Sequence, residues 1–182
     1  MLNEWGLHRM AWFYAAMFAV GLGLAALGGF NAFTTGPLAP ADAAVHVALG
    51  VAGGLAFAVL SALASRWVPA LRAVDEALAA LIGPVDVQEA LIMAAFSGLC
   101  EEVLFRGALQ PLLGPVAATV LFGLAHLPPR RDLWPWSLTA LVAGAGLAAL
   151  TLWSGNILGA VAAHAVVNAV GLVRLGKQAG AR

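Results

Sequence analysis

Six polar side chains in this sequence combine the groups that amide hydrolysis requires. They are Glu101, Glu102, Arg106, His126, His164 and Asn168. A glutamate beside a histidine in a site of low dielectric constant suits a general base that takes a proton from water and later returns it. A second histidine, followed four residues later by an asparagine, can donate hydrogen bonds to a developing oxyanion. Brought together, these groups are the parts needed to hydrolyse a peptide bond.

Helical spacing orients these side chains in pairs. Glu102 and Arg106 are four residues apart, so they share a helix face and can form an ion pair that lowers the cost of burying both. Glu101 is rotated by about 100° from Glu102 and is free to face elsewhere. The same four-residue spacing recurs in two further pairs, Phe122 with His126 and His164 with Asn168. The pairs are therefore able to point into one cavity.

The surrounding sequence is strongly apolar. Of 182 residues, 62% are hydrophobic and 10% charged, and the mean hydropathy is +0.92, values typical of a polytopic helical membrane protein. An ionisable side chain at the bilayer centre costs roughly 2.5–3.5 kcal/mol, so it is rare there unless it pairs or performs chemistry. Nine basic and nine acidic residues cancel, and without a basic stripe we expect no nucleic-acid partner. The single cysteine, Cys100, excludes an internal disulfide framework.

The hydropathy pattern predicts an all-α transmembrane bundle of about six spans, each close to the roughly 20 residues that cross about 30 Å of hydrocarbon. The expected spans are residues 10–29, 44–65, 86–109, 116–127, 136–153 and 157–173. Asp86 and Glu89 stand three residues apart at the start of the third span, as in a capping box. Between the second and third spans, residues 69–82 form an amphipathic stretch that lies at the interface or packs as a partial helix.

The basic residues predict the orientation. Eight of them fall on one side of the six-span arrangement: Arg9, Arg66, Arg72, Arg130, Arg131, Arg174, Lys177 and Arg182. By the positive-inside rule this side is cytoplasmic, so we expect a multi-pass protein with both termini in the cytoplasm. The first apolar run is too long for a cleaved signal peptide and is expected to remain as a span.

The polar residues also match in depth. Counting about 1.5 Å per residue from the turns on the outer side, Glu101 lies roughly 13 Å deep and His164 roughly 12 Å deep. The same count places His126 at roughly 16 Å and Asn168 at roughly 18 Å. Three helices from distant parts of the chain therefore present their strongly polar side chains near the membrane midplane.

Three segments of the chain resemble the ordered motifs of the CPBP intramembrane proteases. They read Glu-Glu-Val-Leu-Phe-Arg-Gly at 101–107, Phe-Gly-Leu-Ala-His at 122–126 and His-Ala-Val-Val-Asn at 164–168. This family includes the type II CAAX prenyl endopeptidases, known as Ras-converting enzymes, and bacterial relatives linked to bacteriocin processing and immunity. The resemblance covers about residues 89–173. It implies a four-helix catalytic core at 86–175, after an N-terminal transmembrane pair with its connector at 1–85 and before a cytoplasmic tail at 176–182.

The resemblance also implies roles for individual residues. Glu101 and His126 would activate the attacking water, and His164 and Asn168 would stabilise the oxyanion. Glu102 and Arg106 would support the site through their ion pair, and Phe122 belongs to the same supporting set. The implied setting is a bacterial inner membrane. The two N-terminal spans match none of the family's motifs. The chain is also shorter than many relatives, so we do not expect it to contain every segment that shapes the substrate groove in those proteins.

A metal cofactor is left as an alternative. Glu101, His126 and His164 could supply three ligands to Zn²⁺ with water in the fourth position. The sequence contains no His-Glu-x-x-His helix, and the resemblance also allows a glutamate-type protease that works without metal. We favour the mechanism without a cofactor.

The predicted function is therefore an endopeptidase acting in or near the membrane. Its partners would be membrane lipid and a peptide or protein with a membrane-proximal cleavage site, such as a CAAX-type tail, a leader peptide or a sorting signal. Two alternatives belong to other classes. Buried glutamates and histidines also form proton or ion relays in transporters, although no inverted repeat is evident here. A catalytically silent membrane scaffold would keep the fold and bind a partner.

Overall fold

The protein is a bundle of helices, described here by a computed structural model that covers residues 4–128 and 130–181. Arg182, counted above among the basic residues, lies outside this range. The α-helices are α1 (Glu4–Gly28), α2 (Pro40–Trp67), α3 (Pro69–Ile82), α4 (Val87–Leu104), α5 (Gln110–Leu113), α6 (Pro115–Ala125), α7 (Trp134–Ser154) and α8 (Leu158–Gly180). A π-helical turn (Phe105–Leu109) joins α4 to α5, and a 3-10 turn (Arg131–Leu133) precedes α7. The expected all-α membrane bundle is confirmed.

The number of spans is smaller than the six expected. In the described part of the chain, α1, α2, α7 and α8 are each long and apolar enough to cross a membrane. The pair formed by α3 and the helix 87–113 is bent by 107° and meets that standard only together, which brings the count to five at most. The helix 87–113 is less apolar because it carries the charges of the candidate site. Helix α6 has 11 residues and is roughly 17 Å long, which is short for a span.

The connector between the second and third expected spans is a helix of its own. A single extended residue, Val68, separates α2 from α3, and Pro69 occupies the first turn of α3, where a missing N–H costs nothing. Gly83 ends α3 with a positive φ of 72°, a conformation that favours glycine. Asp86 then caps α4 by accepting a hydrogen bond from the Glu89 amide at 2.9 Å, as the capping motif predicts. The sharp bend between α3 and α4 follows from this turn.

Small residues bring α8 close to its neighbours. A Cβ atom added at Gly50 of α2 would lie 2.1 Å from the carbonyl oxygen of Gly159, and one at Gly54 would lie 2.6 Å from that of Ala163. On the other side, a Cβ at Gly98 of α4 would lie 3.0 Å from the Ala165 amide nitrogen. These glycines permit the close helix packing expected of small residues spaced four apart. They place α8 between α2 and α4, facing the glutamates of α4.

Two loops of the bundle are joined by backbone hydrogen bonds. The loop between α1 and α2 meets the turn between α7 and α8 through an isolated antiparallel bridge from Thr34 to Asn156. The Thr35 amide also donates to the Gly155 carbonyl at 2.9 Å. Asn156 is buried, and its side-chain amide donates to Nδ1 of His46 at 2.8 Å. His46 is therefore part of the link between these two loops.

The last helix is longer than the sequence analysis predicted. We expected the span to end near Val173 and a separate tail to begin at 176, but α8 continues to Gly180. Residues 175–179 are Leu, Gly, Lys, Gln and Ala. Four of these five are good helix formers, and no proline interrupts them. The helix therefore extends beyond the apolar segment into the predicted tail.

Candidate active site

Helix α4 presents two adjacent glutamates in different directions. Both are buried, with 8% of Glu101 and none of Glu102 exposed. Glu101 lines a cavity of about 740 Å³, whereas Glu102 faces α8 and the π-helical turn. This divergence follows from the rotation of about 100° between successive helical residues. One carboxylate is therefore open to a ligand, and the other is used within the protein.

Glu101 lies against two imidazole rings. Its Oε2 atom is 3.7 Å from Nε2 of His126 and 3.9 Å from Nε2 of His164. These separations are longer than direct hydrogen bonds and short enough for one small ligand to touch the carboxylate and an imidazole at once. The agreement in depth expected from the sequence therefore corresponds to a meeting of α4, α6 and α8.

The orientation of His126 is set by the end of α6. The helix ends at Ala125, and His126 follows with φ −97° and ψ 13°. Its Nδ1 is 2.8 Å from the Phe122 carbonyl oxygen, which can only accept, so Nδ1 carries the proton and donates it. In the neutral ring, Nε2 then has a free lone pair directed toward Glu101. The Phe122 ring lies 4.5 Å from the imidazole, centroid to centroid.

His164 is held by the second glutamate. Its Nδ1 donates to Oε1 of Glu102 at 2.7 Å, and the same oxygen accepts a hydrogen bond from Arg106 at 3.0 Å. The ion pair between Glu102 and Arg106 expected from the four-residue spacing is present. Glu102 also binds His164, a contact that the spacing did not predict. Oε2 of Glu102 has no hydrogen-bond partner among the residues described. A buried chain of hydrogen bonds thus runs from Arg106 through Glu102 to the imidazole that faces Glu101.

Arg106 is fixed by three further features of its surroundings. Its second terminal nitrogen donates to the Gly144 carbonyl of α7 at 2.9 Å. Its guanidinium carbon lies 4.3 Å from the centre of the Phe122 ring, a cation–π contact. A Cβ atom at Gly144 would lie 2.9 Å from that ring and 3.2 Å from the guanidinium. Phe122 therefore packs against both the arginine and the imidazoles, which explains its place among the supporting residues.

The π-helical turn after Arg106 has a local cause. Pro111 lacks an amide hydrogen and its ring would clash with the carbonyl four residues earlier in a regular α-helix. The chain widens at this point, and the Gln110 amide donates to the Phe105 carbonyl five residues back. Such widened turns often occur at functional sites. Here it keeps Gln110 facing α7, where its side chain donates to the Ala148 carbonyl at 3.4 Å.

Asn168 lies one turn beyond His164 on α8. Its side-chain nitrogen donates to the Ser97 hydroxyl of α4 at 2.8 Å. Asn168 lines the 740 Å³ cavity together with Glu101 and His126. It also lines a smaller cavity of about 280 Å³ between α2, α7 and α8, shared with His126 and His164. The carboxamide is thus placed beside the same space as the carboxylate and the imidazoles.

The large cavity extends from Glu101 toward α3. Its lining includes residues of α3 and the ends of α2 and α8 that carry the basic residues. At this end Asp75 accepts two hydrogen bonds of 2.7 Å from Arg174, which ties α3 to α8. Tyr14 of α1 also lines the cavity. Helices α1, α2 and α3, which precede the candidate catalytic core, therefore line one side of this cavity.

The arrangement is a poor match for a bound metal ion. Among residues 4–128 and 130–181, no group of three or more histidine, cysteine, aspartate or glutamate side chains is spaced to hold one. Two ligands on one tetrahedral Zn²⁺ at 2.0–2.2 Å would be about 3.4 Å apart. The separations from Oε2 of Glu101 to the two Nε2 atoms, 3.7 and 3.9 Å, are wider. The donor types are nevertheless those that zinc accepts.

The structure brings all six predicted residues, and Phe122, into one region. Sequence reasoning missed the bond between Glu102 and His164, the pairing of Ser97 with Asn168, and the presence of Tyr14 in the cavity. Ser97 lies four residues before Glu101, so helical spacing could have placed it on the same face. Tyr14 is the single tyrosine of the chain, but nothing in its neighbourhood of the sequence indicates that α1 approaches α4 here.

Comparison with known proteins indicates the family that this region resembles. Residues 84–170 match the family model described as type II CAAX prenyl endopeptidase Rce1-like. An uncharacterized protein of Bacillus subtilis strain 168, YpbD, is 29% identical over 87 residues, which cover 47% of this chain and 44% of that relative. No solved structure matches the chain significantly. The matched region contains all six residues of the candidate site.

Proposed function

Because residues 84–170 match the family model described as type II CAAX prenyl endopeptidase Rce1-like, we propose that this integral membrane protein hydrolyses a peptide bond at the cavity beside Glu101. The observation that carries the proposal is the position of one carboxylate oxygen 3.7 and 3.9 Å from two imidazole nitrogens. Water is the nucleophile. A carboxylate and an imidazole acceptor on either side of it can polarise its O–H bonds.

The first step is deprotonation of that water. Oε2 of Glu101 takes one proton while Nε2 of His126, whose other nitrogen donates to the Phe122 carbonyl, accepts a hydrogen bond from the second. The resulting hydroxide attacks the carbonyl carbon of the scissile bond. Glu101 then returns its proton to the amine that leaves, so the carboxylate is regenerated and no covalent enzyme intermediate forms.

Stabilisation of the oxyanion falls to α8. The Glu102 carboxylate accepts from Nδ1 of His164 at 2.7 Å, and in its imidazolium form the same ring presents Nε2–H as a donor into the cavity. Asn168 adds a second N–H donor. With Arg106 and Glu102 nearly cancelling in charge, a protonated His164 supplies net positive charge where the oxyanion develops. Donors that are fixed before the reaction contribute most in a site that excludes bulk water.

We propose that the reaction needs no metal. The separations in the carboxylate and imidazole set are wider than zinc ligation requires, as given above. If zinc is used, Glu101, His126 and His164 are the residues that would hold it. Purified enzyme treated with 1,10-phenanthroline or EDTA is expected to keep its rate. Loss of activity on chelation, with recovery on adding Zn²⁺ alone, would instead establish the metal mechanism.

The substrate is proposed to approach from the cytoplasmic side. The end of the cavity away from Glu101 is lined by α2, α3 and α8, near Arg66, Arg72 and Arg174, and the positive-inside rule assigns that side to the cytoplasm. Both termini would then be cytoplasmic, because α6, although shorter than a full span, and the loop after it would return the chain to that side before α7. In a bacterial cell the protein would reside in the inner membrane and cut a CAAX-type tail, a leader peptide or a sorting signal next to the bilayer.

The decisive experiment compares peptide ends in membranes that contain wild-type protein or Glu101→Gln. Gln keeps the size of the side chain and removes the base, so at least one peptide end is expected to vanish while its uncut precursor accumulates. Glu76→Gln is the matched control, because Glu76 is exposed on α3 and its variant should keep the wild-type pattern. Identical peptide ends in wild type and Glu101→Gln, with both proteins folded, would refute the protease.

The transporter alternative is tested with the same variants. Proteoliposomes containing wild-type protein are expected to show no proton or ion flux above that of empty vesicles. A flux that Glu101→Gln abolishes, in the absence of any cleavage, would favour a relay. The scaffold alternative predicts that Glu101→Gln, His126→Ala and His164→Ala all preserve the cellular phenotype.

A further inference from the structure

Two helices face each other with matching polar pairs at the candidate site. Glu101 of α4 lies opposite His164 of α8, with 3.9 Å between Oε2 and Nε2. One turn away, Ser97 of α4 lies opposite Asn168 of α8, with 2.8 Å between the hydroxyl and the amide nitrogen. The first pair contains groups with roles in the proposed reaction. The second pair contains one such group, Asn168, and one residue that the reaction has not yet used.

We propose that Ser97 is a positioning residue that sets which face of the Asn168 carboxamide is turned to the substrate. The inference rests on the proposed function, because it gives Ser97 a role through the oxyanion donor. Ser97 is 5% exposed, so bulk water does not compete for its hydroxyl. Its partner across the helices is the amide nitrogen that the mechanism requires.

The hydrogen bonds of Ser97 determine the orientation. Its hydroxyl donates to the Ala94 carbonyl at 3.2 Å, one turn back on α4. With that proton committed, the Ser97 oxygen acts as an acceptor and receives the amide hydrogen of Asn168. A flipped carboxamide would place two acceptor oxygens together, unless the Ser97 hydroxyl left Ala94. Ser97 therefore favours the arrangement in which the second N–H of Asn168 stays free for the oxyanion.

Tyr14 supports the pair from outside the matched region. Its side chain lines the same cavity as Ser97 and Glu101. It belongs to α1, whereas the family match begins at residue 84. The phenol therefore adds a polar group to the cavity beside the pair of Ser97 and Asn168. Helix α1 thus takes part in setting the site as well as in spanning the membrane.

The test uses the isosteric pair Ser97→Thr and Ser97→Val, assayed on the peptide identified for the proposed function. Threonine keeps the hydroxyl and valine replaces it with a methyl group of the same shape, so packing changes cancel between them. We expect kcat for Val to be about tenfold below that for Thr, as for loss of one net hydrogen bond, with KM within twofold. Tyr14→Phe is expected to lower kcat about twofold to threefold.

A double-mutant cycle shows whether Ser97 acts through Asn168. Asn168→Ala alone is expected to lower kcat about a hundredfold, as for loss of an oxyanion donor. Adding Ser97→Val or Ser97→Thr to it should then give equal rates, because the group being positioned is gone. Equal rates for Thr and Val in the wild-type background, or an undiminished Thr to Val ratio without Asn168, would overturn the inference.

The outcomes separate this inference from the proposed function. If Asn168→Ala loses activity but Thr and Val variants are equal, Ser97 is a structural residue and the protease assignment is untouched. If Asn168→Ala cleaves at the wild-type rate, the oxyanion role and the inference fail together. If wild-type protein cleaves nothing, the proposed function has failed. Thermal unfolding in detergent, measured for every variant, identifies any loss of rate that comes from unfolding.

Discussion

Two arginine–carboxylate pairs in the described part of the chain should contribute very differently to its stability. Arg106 and Glu102 are 3.0 Å apart with 1% and 0% of their side chains exposed. Arg174 and Asp75 are 2.7 Å apart, but 36% and 14% of their side chains are exposed. Breaking a buried pair leaves an uncompensated charge and costs about 3–5 kcal/mol. The second pair is partly exposed and therefore screened by solvent, and its two-bond geometry puts it at the upper end of the range of about 0–1 kcal/mol for such pairs.

The perturbation is Arg106→Ala, with Arg174→Ala as the matched control. We expect the free energy of unfolding to fall by about 3–5 kcal/mol for Arg106→Ala and by no more than about 1 kcal/mol for Arg174→Ala. The first loss includes two hydrogen bonds of Arg106, to Glu102 and to the Gly144 carbonyl. Reversible unfolding in mixed micelles, followed by circular dichroism, measures both variants under the same conditions.

A double substitution separates stability from catalysis. In Glu102→Leu with Arg106→Leu, both members of the ion pair are removed and His164 can release its proton, so at least half of the stability lost in Arg106→Ala should return. Peptide cleavage should not return, because His164 has lost the carboxylate that holds its Nδ1. Equal destabilisation by Arg106→Ala and Arg174→Ala would refute the reasoning from burial. Full cleavage by the double variant would refute the role given to Glu102.

Two further predictions concern glycines at helix contacts. Gly144→Ala would place a Cβ 2.9 Å from the Phe122 ring, so we expect a loss of about 1–3 kcal/mol and weaker cleavage, both measured against Gly146→Ala, whose Cβ meets nothing within 4 Å in the described structure. Gly54→Ala would place a Cβ 2.6 Å from a backbone oxygen of α8 and should lower the free energy of unfolding by a similar amount. Its control is Gly53→Ala on the same helix, whose Cβ has no described atom within 4 Å and which should not lower the free energy of unfolding. A variant and its control that unfold alike would contradict the packing described for that helix pair.

The sequence predicted the candidate site better than the number of spans. Local patterns carry helix faces, so the pair Glu102 and Arg106 and the cap at Asp86 could be read directly. The charged residues that identify the site also lower the mean hydropathy of the helix 87–113. By composition alone, this helix is therefore a weaker candidate for a span. Hydropathy could not show that α6 ends after 11 residues, because the apolar pattern itself continues to Leu127.

Contacts between distant residues were beyond the sequence. The bond from His164 to Glu102 joins positions 62 apart, and that from Asn168 to Ser97 joins positions 71 apart. Both depend on how closely α4 and α8 approach, which the backbone contact at Gly98 sets. The depth argument placed His164 and Glu101 in one layer, but depth leaves the rotation of each helix about its axis open. That rotation decided which glutamate met which nitrogen of the ring.

The short helix α6 has a consequence for the lipid around the protein. Its length of roughly 17 Å leaves about 13 Å of the 30 Å hydrocarbon thickness unmatched. Its outer surface is apolar, with Val116 77% and Leu124 52% exposed. A mismatch of this size is met by acyl chains that thin or tilt beside the protein. Local thinning of the bilayer beside His126 would bring lipid headgroups and their hydration water closer to the imidazoles. The membrane itself would then help to supply water to a reaction that consumes it.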